Sequence, residues 1–346
     1  MSTALLRSPW PTPVWPATVP PARASAPPGE LRDQHGRRKR KLRLSIIDRC
    51  NYRCSYCMPD EPDYLAASKR LRPDELVTMA THFVRDFGIT HIRVTGGEPT
   101  LHPQLRALIH QLNALREHGL EELHLSSNAS RLAPLASALA EAGLDGVNIS
   151  LDSLDSARYG AMCGGGARLD DALAGIAAAR AAGLPVKLNM VVQAGRNDDE
   201  LEAMLAFAGQ HGLELRFIEF MPLDGGHGWS KGDVFSLDAI LARLGPVEAL
   251  PTDGAPARRF RRPDGQVFGV IASVTTPFCG SCDRLRVTAD GQLVTCLYSG
   301  QGIPLRPLLQ APDAFAAQVR AHVFSKPRGY IDGMRETPLR MYRLGG

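Results

Sequence analysis

The chain has 346 residues, of which 44% are hydrophobic and 22% charged, a balance suited to one large folded domain, alone or with a smaller one, and unlike that of a disordered chain. No apolar run approaches the roughly 18–20 residues of a membrane span, so the chain reads as a soluble protein with no membrane partner. The net charge of +4 belongs to the N-terminal end: residues 1–43 hold nine Lys/Arg and two acids, and the remainder is near −3, which excludes a basic nucleic-acid footprint on the body.

Residues 1–30 contain eight prolines and no acid before Glu30, with no helical or strand period. A disordered arm is expected over 1–32, with an organelle transit peptide as the alternative. The run Arg37-Arg38-Lys39-Arg40-Lys41 reads as a solvated lead-in to the first strand rather than a nuclear or nucleic-acid patch. From residue 42 short β-branched runs recur at 42–47, 91–95, 123–127, 147–151, 186–192 and 215–220. Helical patterns at 73–87, 103–118, 132–142, 168–182 and 198–211 separate them, several closed by glycine (Gly88, Gly119, Gly143, Gly183, Gly212). Six strands alternating with helices predict parallel βα units, as an open doubly wound sheet or a partial barrel. After Met221 the rhythm stops. Gly225, Gly226 and Gly228 suggest a loop, followed by a helix at 236–244 and a strand at 267–273. A hairpin over 284–297 turning at Asp290-Gly291 and a helix near 304–324 complete the chain.

Seven cysteines stand at 50, 54, 57, 163, 279, 282 and 296. An odd number in two tight groups is no disulfide framework and suggests metal ligation in a reducing compartment, hence a cytoplasmic protein. Cys50-x3-Cys54-x2-Cys57 follows directly on the first strand, where βα architectures carry their chemistry. A full [4Fe–4S] site takes four Cys ligands, so three supplied locally leave one iron open to a small molecule. The competing use of such spacing is zinc, which lacks an obvious fourth ligand nearby. Cys279-x2-Cys282-x13-Cys296 supplies three more thiolates, for a second cluster or again for zinc.

The first triad, with Tyr56 just before its third cysteine, resembles the radical S-adenosylmethionine (SAM) superfamily. The resemblance implies that the open iron chelates SAM, and that one-electron cleavage yields a 5′-deoxyadenosyl radical that abstracts hydrogen from a substrate. It implies SAM contacts for Tyr56, for Gly97 in Gly96-Gly97-Glu98-Pro99, for Ser150 at the end of the fourth strand and for the main chain of Met221. Glycine suits the second of these because backbone can approach a ligand closely.

The residues around the second triad, Phe278 to Leu297 with Asp283-Arg284-Leu285-Arg286, resemble the GTP 3′,8-cyclase family over about residues 33–346. Asp33-x-x-Gly36-Arg37, Asp48-Arg49-Cys50-Asn51 and the terminal Gly345-Gly346 add to the match. The resemblance implies two [4Fe–4S] clusters, with GTP as substrate and its base on the open iron of the second cluster. It implies GTP contacts for Arg43, Arg93, Ser126, Lys187, Arg284, Leu285 and Arg286, and catalytic support from Arg216 and from the Gly345-Gly346 tail. From the family come also a homodimer, a reductant protein of unknown identity and hand-over of the product to cyclic pyranopterin monophosphate synthase, in molybdenum cofactor biosynthesis. Ala129 stands where the family usually has Gly, and Cys163-Gly164-Gly165-Gly166 replaces a more polar stretch, with Cys163 not expected as a ligand.

The expected fold is therefore an α/β partial (βα)6 TIM-like barrel over 33–225, with a C-terminal extension over 226–346 that carries the second cluster across the open side. The rivals are another radical SAM enzyme with an auxiliary cluster, such as a peptide-modifying maturase, and a zinc-stabilised nucleic-acid-binding protein.

Overall fold

A computed structural model describes residues 29–223, 228–252, 254–298, 302–329 and 341–345. Most of the expected arm, Gly225, Gly226 and Gly346 lie outside the described residues. The strands that the β-branched runs predict are all present: β1 (Lys41–Ile47), β2 (His91–Gly96), β3 (Glu122–Ser127), β4 (Gly146–Ser150), β5 (Val186–Val192) and β6 (Glu214–Glu219). They lie side by side in sequence order and are parallel throughout.

The helices between them are α1 (Pro73–Thr81), α2 (Leu105–Asn113), α3 (Ala136–Glu141), α4 (Ser156–Cys163), α5 (Leu169–Ala181) and α6 (Leu201–Gln210). Local chemistry sets their starts. Pro73 opens α1 while the Glu75 carboxylate accepts from the Arg72 amide, and Asp155 caps α4 through the Arg158 amide. Helix α4 is absent from the expected pattern, because its short apolar face (Tyr159, Met162, Cys163) spans barely two turns.

Side chains alternate across a strand, and the alternation divides this sheet cleanly. Leu42, Leu44 and Ile46, Ile92 and Val94, Leu123 and Leu125, Val147 and Ile149, Leu188 and Met190, and Leu215 and Phe217 are buried in one apolar core. The intervening positions are polar almost throughout: Arg43 and Ser45, Arg93 and Thr95, His124 and Ser126, Asn148 and Ser150, Lys187 and Asn189, Glu214 and Arg216. A parallel sheet covered by helices on both faces reads as continuous apolar runs. Here the second face is built to hold something polar.

The C-terminal region does not form a separate layer. After α7 (Leu237–Leu244), β7 (Glu248–Ala249), β8 (Arg258–Arg261) and β9 (Val267–Ile271) extend the sheet beyond β6. Then β10 (Arg284–Val287), β11 (Gln292–Val294) and β12 (Ile303–Pro304) extend it beyond β1, with β10 parallel to β1. One twelve-stranded sheet results, with C-terminal strands on both edges of the six-stranded core. The expected helix near 304–324 is shorter, because β12 occupies its start: α8 runs Pro312–Phe324 and stacks Phe315 on His82 and Phe87. The last described helix is α9 (Met341–Leu344).

Two expectations at the N-terminal end are corrected. Leu31 is 1% exposed in the core and Arg32 pairs with Arg38, so residues 29–32 belong to the folded body rather than to a disordered arm. The basic run is not a solvated lead-in either. Strand-like alternation buries Arg37 and Lys39 while Arg38 and Arg40 stay exposed. The buried pair is tolerated because Asp33 neutralises it, with Oδ2 accepting from Arg37 Nε and Lys39 Nζ, both at 2.6 Å.

Candidate active site

The first cysteine triad lies on the loop that leaves β1, and the GGEP turn that leaves β2 is packed directly against it. The Gly97 amide donates to the Ile47 carbonyl (2.8 Å) and the Glu98 amide to the Arg49 carbonyl (2.8 Å). A Cβ on Gly96 (φ +143°) would overlap the Ile47 carbonyl, and one on Gly97 would overlap that of Arg49. The close approach that these glycines allow is therefore to the chain's own backbone. Glu98, 1% exposed, fixes the turn: it accepts from the Thr100 amide and hydroxyl, the Ser127 hydroxyl and the Asn128 amide at 2.6–3.0 Å. Tyr56 donates from its hydroxyl to Asp152 (2.7 Å), which also accepts from the Val191 amide, so the cysteine loop is tied to the exits of β4 and β5. Burial pushes the Asp152 carboxyl up to about 6, against the opposing effect of those donors.

Cys163 sits beside this loop. The Arg53 and Ser55 amides donate to the Cys163 and Met162 carbonyls, which brings its thiol against Cys54. Ala129, at φ +62°, occupies a left-handed position where glycine costs less. Gly175 on α5 provides the space, since a Cβ there would run into Ala129.

Both triads border one small apolar cluster. Leu223, Tyr298 and Met341 are its buried members, and Cys57, Met221, Cys279 and Cys296 pack against them. The segment 29–40 pins the second triad from below. Arg37 Nη1 donates to the Cys279 carbonyl (2.7 Å) and Lys39 Nζ to the Cys282 carbonyl (2.7 Å).

Between the triads runs the polar face. In register, Arg286, Arg43 and Arg93 stand side by side on β10, β1 and β2. Burial first, then mutual repulsion, pushes Arg286 and Arg93 down to about 10 and Arg43 well below its ordinary value. Ser126, Asn148, Lys187 and Glu214 form a second row, and Ser150, Asn189 and Arg216 a third. Glu214, a residue that sequence reasoning missed, pairs with Arg216 (2.6 Å) and Lys187 (3.5 Å). Arg284 lies over the Phe278 ring. The Leu285 side chain is fully buried in the apolar core rather than on this face, which leaves its main chain for the expected substrate contact. The Gly345 carbonyl accepts from Arg286 (2.5 Å) and from Arg43 (3.4 Å), and Gly345 packs on Thr95 and Ser45. Tyr342 and Arg343 anchor this tail on the Asp63 carbonyl.

The same face holds buried polar atoms without a protein partner: Ser45 Oγ, Arg93 Nε, His124 Nδ1, Asn148 Oδ1 and Asn189 Oδ1. Orphaned polar atoms in one place fit a polar ligand. The cysteines fit metal clusters. Burial, aided by Glu98, pushes Cys50 up to about 12; contact with Cys163 and burial raise Cys54, and burial raises Cys57. Thiolates there need cationic metal. Among the described residues no three Cys, His, Asp or Glu side chains converge on a single-ion site. Thiolates on separate irons of a cubane do not have to converge on one point.

A sequence model of the radical SAM superfamily matches residues 44–208, and one for molybdenum cofactor synthesis, C-terminal, matches 213–331. The fold is similar to that of Streptococcus suis SuiB bound to S-adenosylmethionine: TM-score 0.61 at 12% identity, covering 83% of this chain and 68% of that one. This α/β fold with its parallel-rich sheet is that of a radical SAM protein, with SAM and [4Fe–4S] chemistry.

The chain is 44% identical over 318 residues to GTP 3′,8-cyclase 2 of Mycobacterium tuberculosis, covering 87% of each chain. It is 43% identical to GTP 3′,8-cyclase of Streptomyces coelicolor (86% of this chain, 90% of the relative) and 41% identical to that of Xanthomonas campestris (91% and 97%). The chain belongs to the GTP 3′,8-cyclase family.

Proposed function

We propose that this chain converts GTP to (8S)-3′,8-cyclo-7,8-dihydroguanosine 5′-triphosphate, the first step of molybdenum cofactor biosynthesis. The observation that carries the reading is the polar sheet face between the two triads, with arginines side by side in register and polar atoms left unpartnered. A triphosphate carries several negative charges, and arginines that depress one another's proton affinity are relieved by such a polyanion. We assign the triphosphate to Arg43, Arg93, Lys187, Arg284 and Arg286, with Ser126 as a hydroxyl donor and Arg216 in reach of the same group. The guanine end is assigned to the side of Cys279, Cys282 and Cys296, which would hold a second [4Fe–4S] cluster.

Cys50, Cys54 and Cys57 would hold the first cluster, and Tyr56, Gly97, Ser150 and Met221 would frame SAM. When bound, the cluster and SAM supply the acceptor for the ribose 3′ hydrogen. The chain's own part is to orient C3′ towards C8 of guanine, and to exclude water from the space between the triads with α9 and Gly345. The tail, including Gly346, is read as catalytic support.

The reading includes a six-stranded core curled as a partial barrel, with the strands added at its two edges spanning the open side. Its units are a barrel ending near residue 225 and a C-terminal region from 226. No helix of the described residues is long and apolar enough to cross a membrane. We place the chain in the cytoplasm, a reading that the two tight groups of cysteines support. A homodimer, a reductant protein and hand-over of product to cyclic pyranopterin monophosphate synthase rest on the family alone.

The test is an anaerobic incubation of reconstituted protein with reductant, SAM and GTP. It should yield 5′-deoxyadenosine together with a GTP isomer. SAM cleavage with GTP unchanged would remove the cyclase reading and leave the superfamily.

A further inference from the structure

The sulfur of Cys282 has surroundings unlike those of Cys50, Cys54 and Cys57. Lys326 Nζ lies 3.2 Å from Cys282 Sγ, and an Arg284 guanidinium nitrogen lies 3.7 Å from it. Lys326 is 3% exposed. Its other acceptor is the Arg284 carbonyl at 3.3 Å. Among the described residues no carboxylate pairs with it, since Asp33 is taken by Arg37 and Lys39. A buried ammonium needs an anion, and the one within reach is the Cys282 thiolate.

The geometry is held from several sides. Gln34 donates to the Lys326 carbonyl (3.2 Å), and Arg37 donates to those of Pro327 (2.8 Å) and Arg328 (2.7 Å), so the turn after α8 is clamped by the segment before β1. Arg284 is held against the Phe278 ring at 4.6 Å.

We propose that Lys326, assisted by Arg284, is a positioning residue for the second cluster: it hydrogen-bonds the Cys282 thiolate and raises that cluster's reduction potential. This rests on the two-cluster reading above. Adding an electron makes the cluster more negative, and cationic donors on a ligand sulfur stabilise that state. Reduction is then favoured at the end of the site where the guanine is assigned.

The experiment is a redox titration, followed by electron paramagnetic resonance, of the reconstituted full chain and its Lys326→Met, Lys326→Gln and Lys326→Arg variants. Iron is quantified in each. Lys326→Met should move the second cluster to a more negative potential, Lys326→Gln should move it less, and Lys326→Arg should restore it. The first cluster, on Cys50, Cys54 and Cys57, should stay in place as an internal reference. Loss of the second cluster in Lys326→Met that Lys326→Arg restores and Lys326→Gln does not would equally support a role for the charge. Two clusters per chain with unmoved potentials in all variants would overturn the proposal and leave the two-cluster reading standing. A single cluster per wild-type chain would overturn both.

Discussion

At the scale of single residues, the polar face sets cations side by side, which suits the polyanion proposed to bind there. Arg93 is half-buried, its Nε has no partner, and its neighbours in register include Arg43. Replacing it with alanine should remove a charge-assisted hydrogen bond worth about 1.5–3 kcal/mol. Equilibrium binding of GTP to the anaerobic protein should therefore weaken about ten- to a hundredfold. Glu214 acts in the opposite sense. Burial would raise its carboxyl, but Arg216 and then Lys187 hold it below the usual range, so it stays ionised and, with the triphosphate assigned as proposed, would compete with phosphate for both cations. Glu214→Gln should tighten GTP binding, by about tenfold if one like-charge contact is relieved, and weaker binding would contradict that role. The six ligand candidates were legible in the sequence because their spacing is local. Glu214 and Lys326 were not, since Glu214 bridges Arg216 on its own strand to Lys187 on the next, and Lys326 meets Cys282 from far along the chain. The burial of the Leu285 side chain was not legible either, because a contiguous motif does not show which of its side chains point the same way, whereas a strand separates Leu285 from both neighbours.

At the scale of elements, two local structures hold the site. The first is the GGEP turn, whose glycines let two strand exits touch. Gly96→Ala would place a Cβ against the Ile47 carbonyl at a φ that alanine rarely adopts, and should cost at least about 2–3 kcal/mol in urea unfolding. An unchanged midpoint would argue that the turn is free to shift. The second is the segment from Leu31 to Lys39, clamped by a carboxylate buried between two cations. Asp33→Asn leaves Lys39 and Arg37 unpaired and should cost about 3–5 kcal/mol at pH 7. Burial acts to raise the Asp33 carboxyl, but Lys39 and Arg37 hold it below its ordinary value. Its stabilisation is thus fully present above the unfolded value near 3.8, and is lost as pH falls below that towards the lowered folded value. The variant should show a flatter acid limb below about pH 4, by the same linkage. Strand positions were readable from β-branched runs, and β5 begins and ends where expected. The strict alternation of Leu-Arg-Leu-Ser and Val-Lys-Leu-Asn was also in view, but its consequence, a ligand-facing polar side, needs the register to align one strand's polar positions with the next.

At the scale of the whole molecule, the C-terminal region completes the sheet that the six βα units begin. Pairing of β10 with β1 joins residues about 240 positions apart in the sequence, and no local pattern announces such a contact. It is this pairing that sets Arg286 beside Arg43 and places the second triad within reach of the first. The central claim is that in the site between them GTP gives up a hydrogen atom from its ribose and closes the C3′–C8 bond, one electron from the added reductant and one proton from water then replacing the lost hydrogen so that the product is an isomer of GTP. The direct measurement uses GTP carrying deuterium at the ribose 3′ position, with SAM and reductant, followed by mass spectrometry of both products. Deuterium should appear in 5′-deoxyadenosine, alongside a cyclised nucleotide in which a hydrogen from water has replaced that deuterium, so that it is about one mass unit lighter than the labelled substrate. Unlabelled 5′-deoxyadenosine, or labelled GTP recovered unchanged while SAM is consumed, would contradict it.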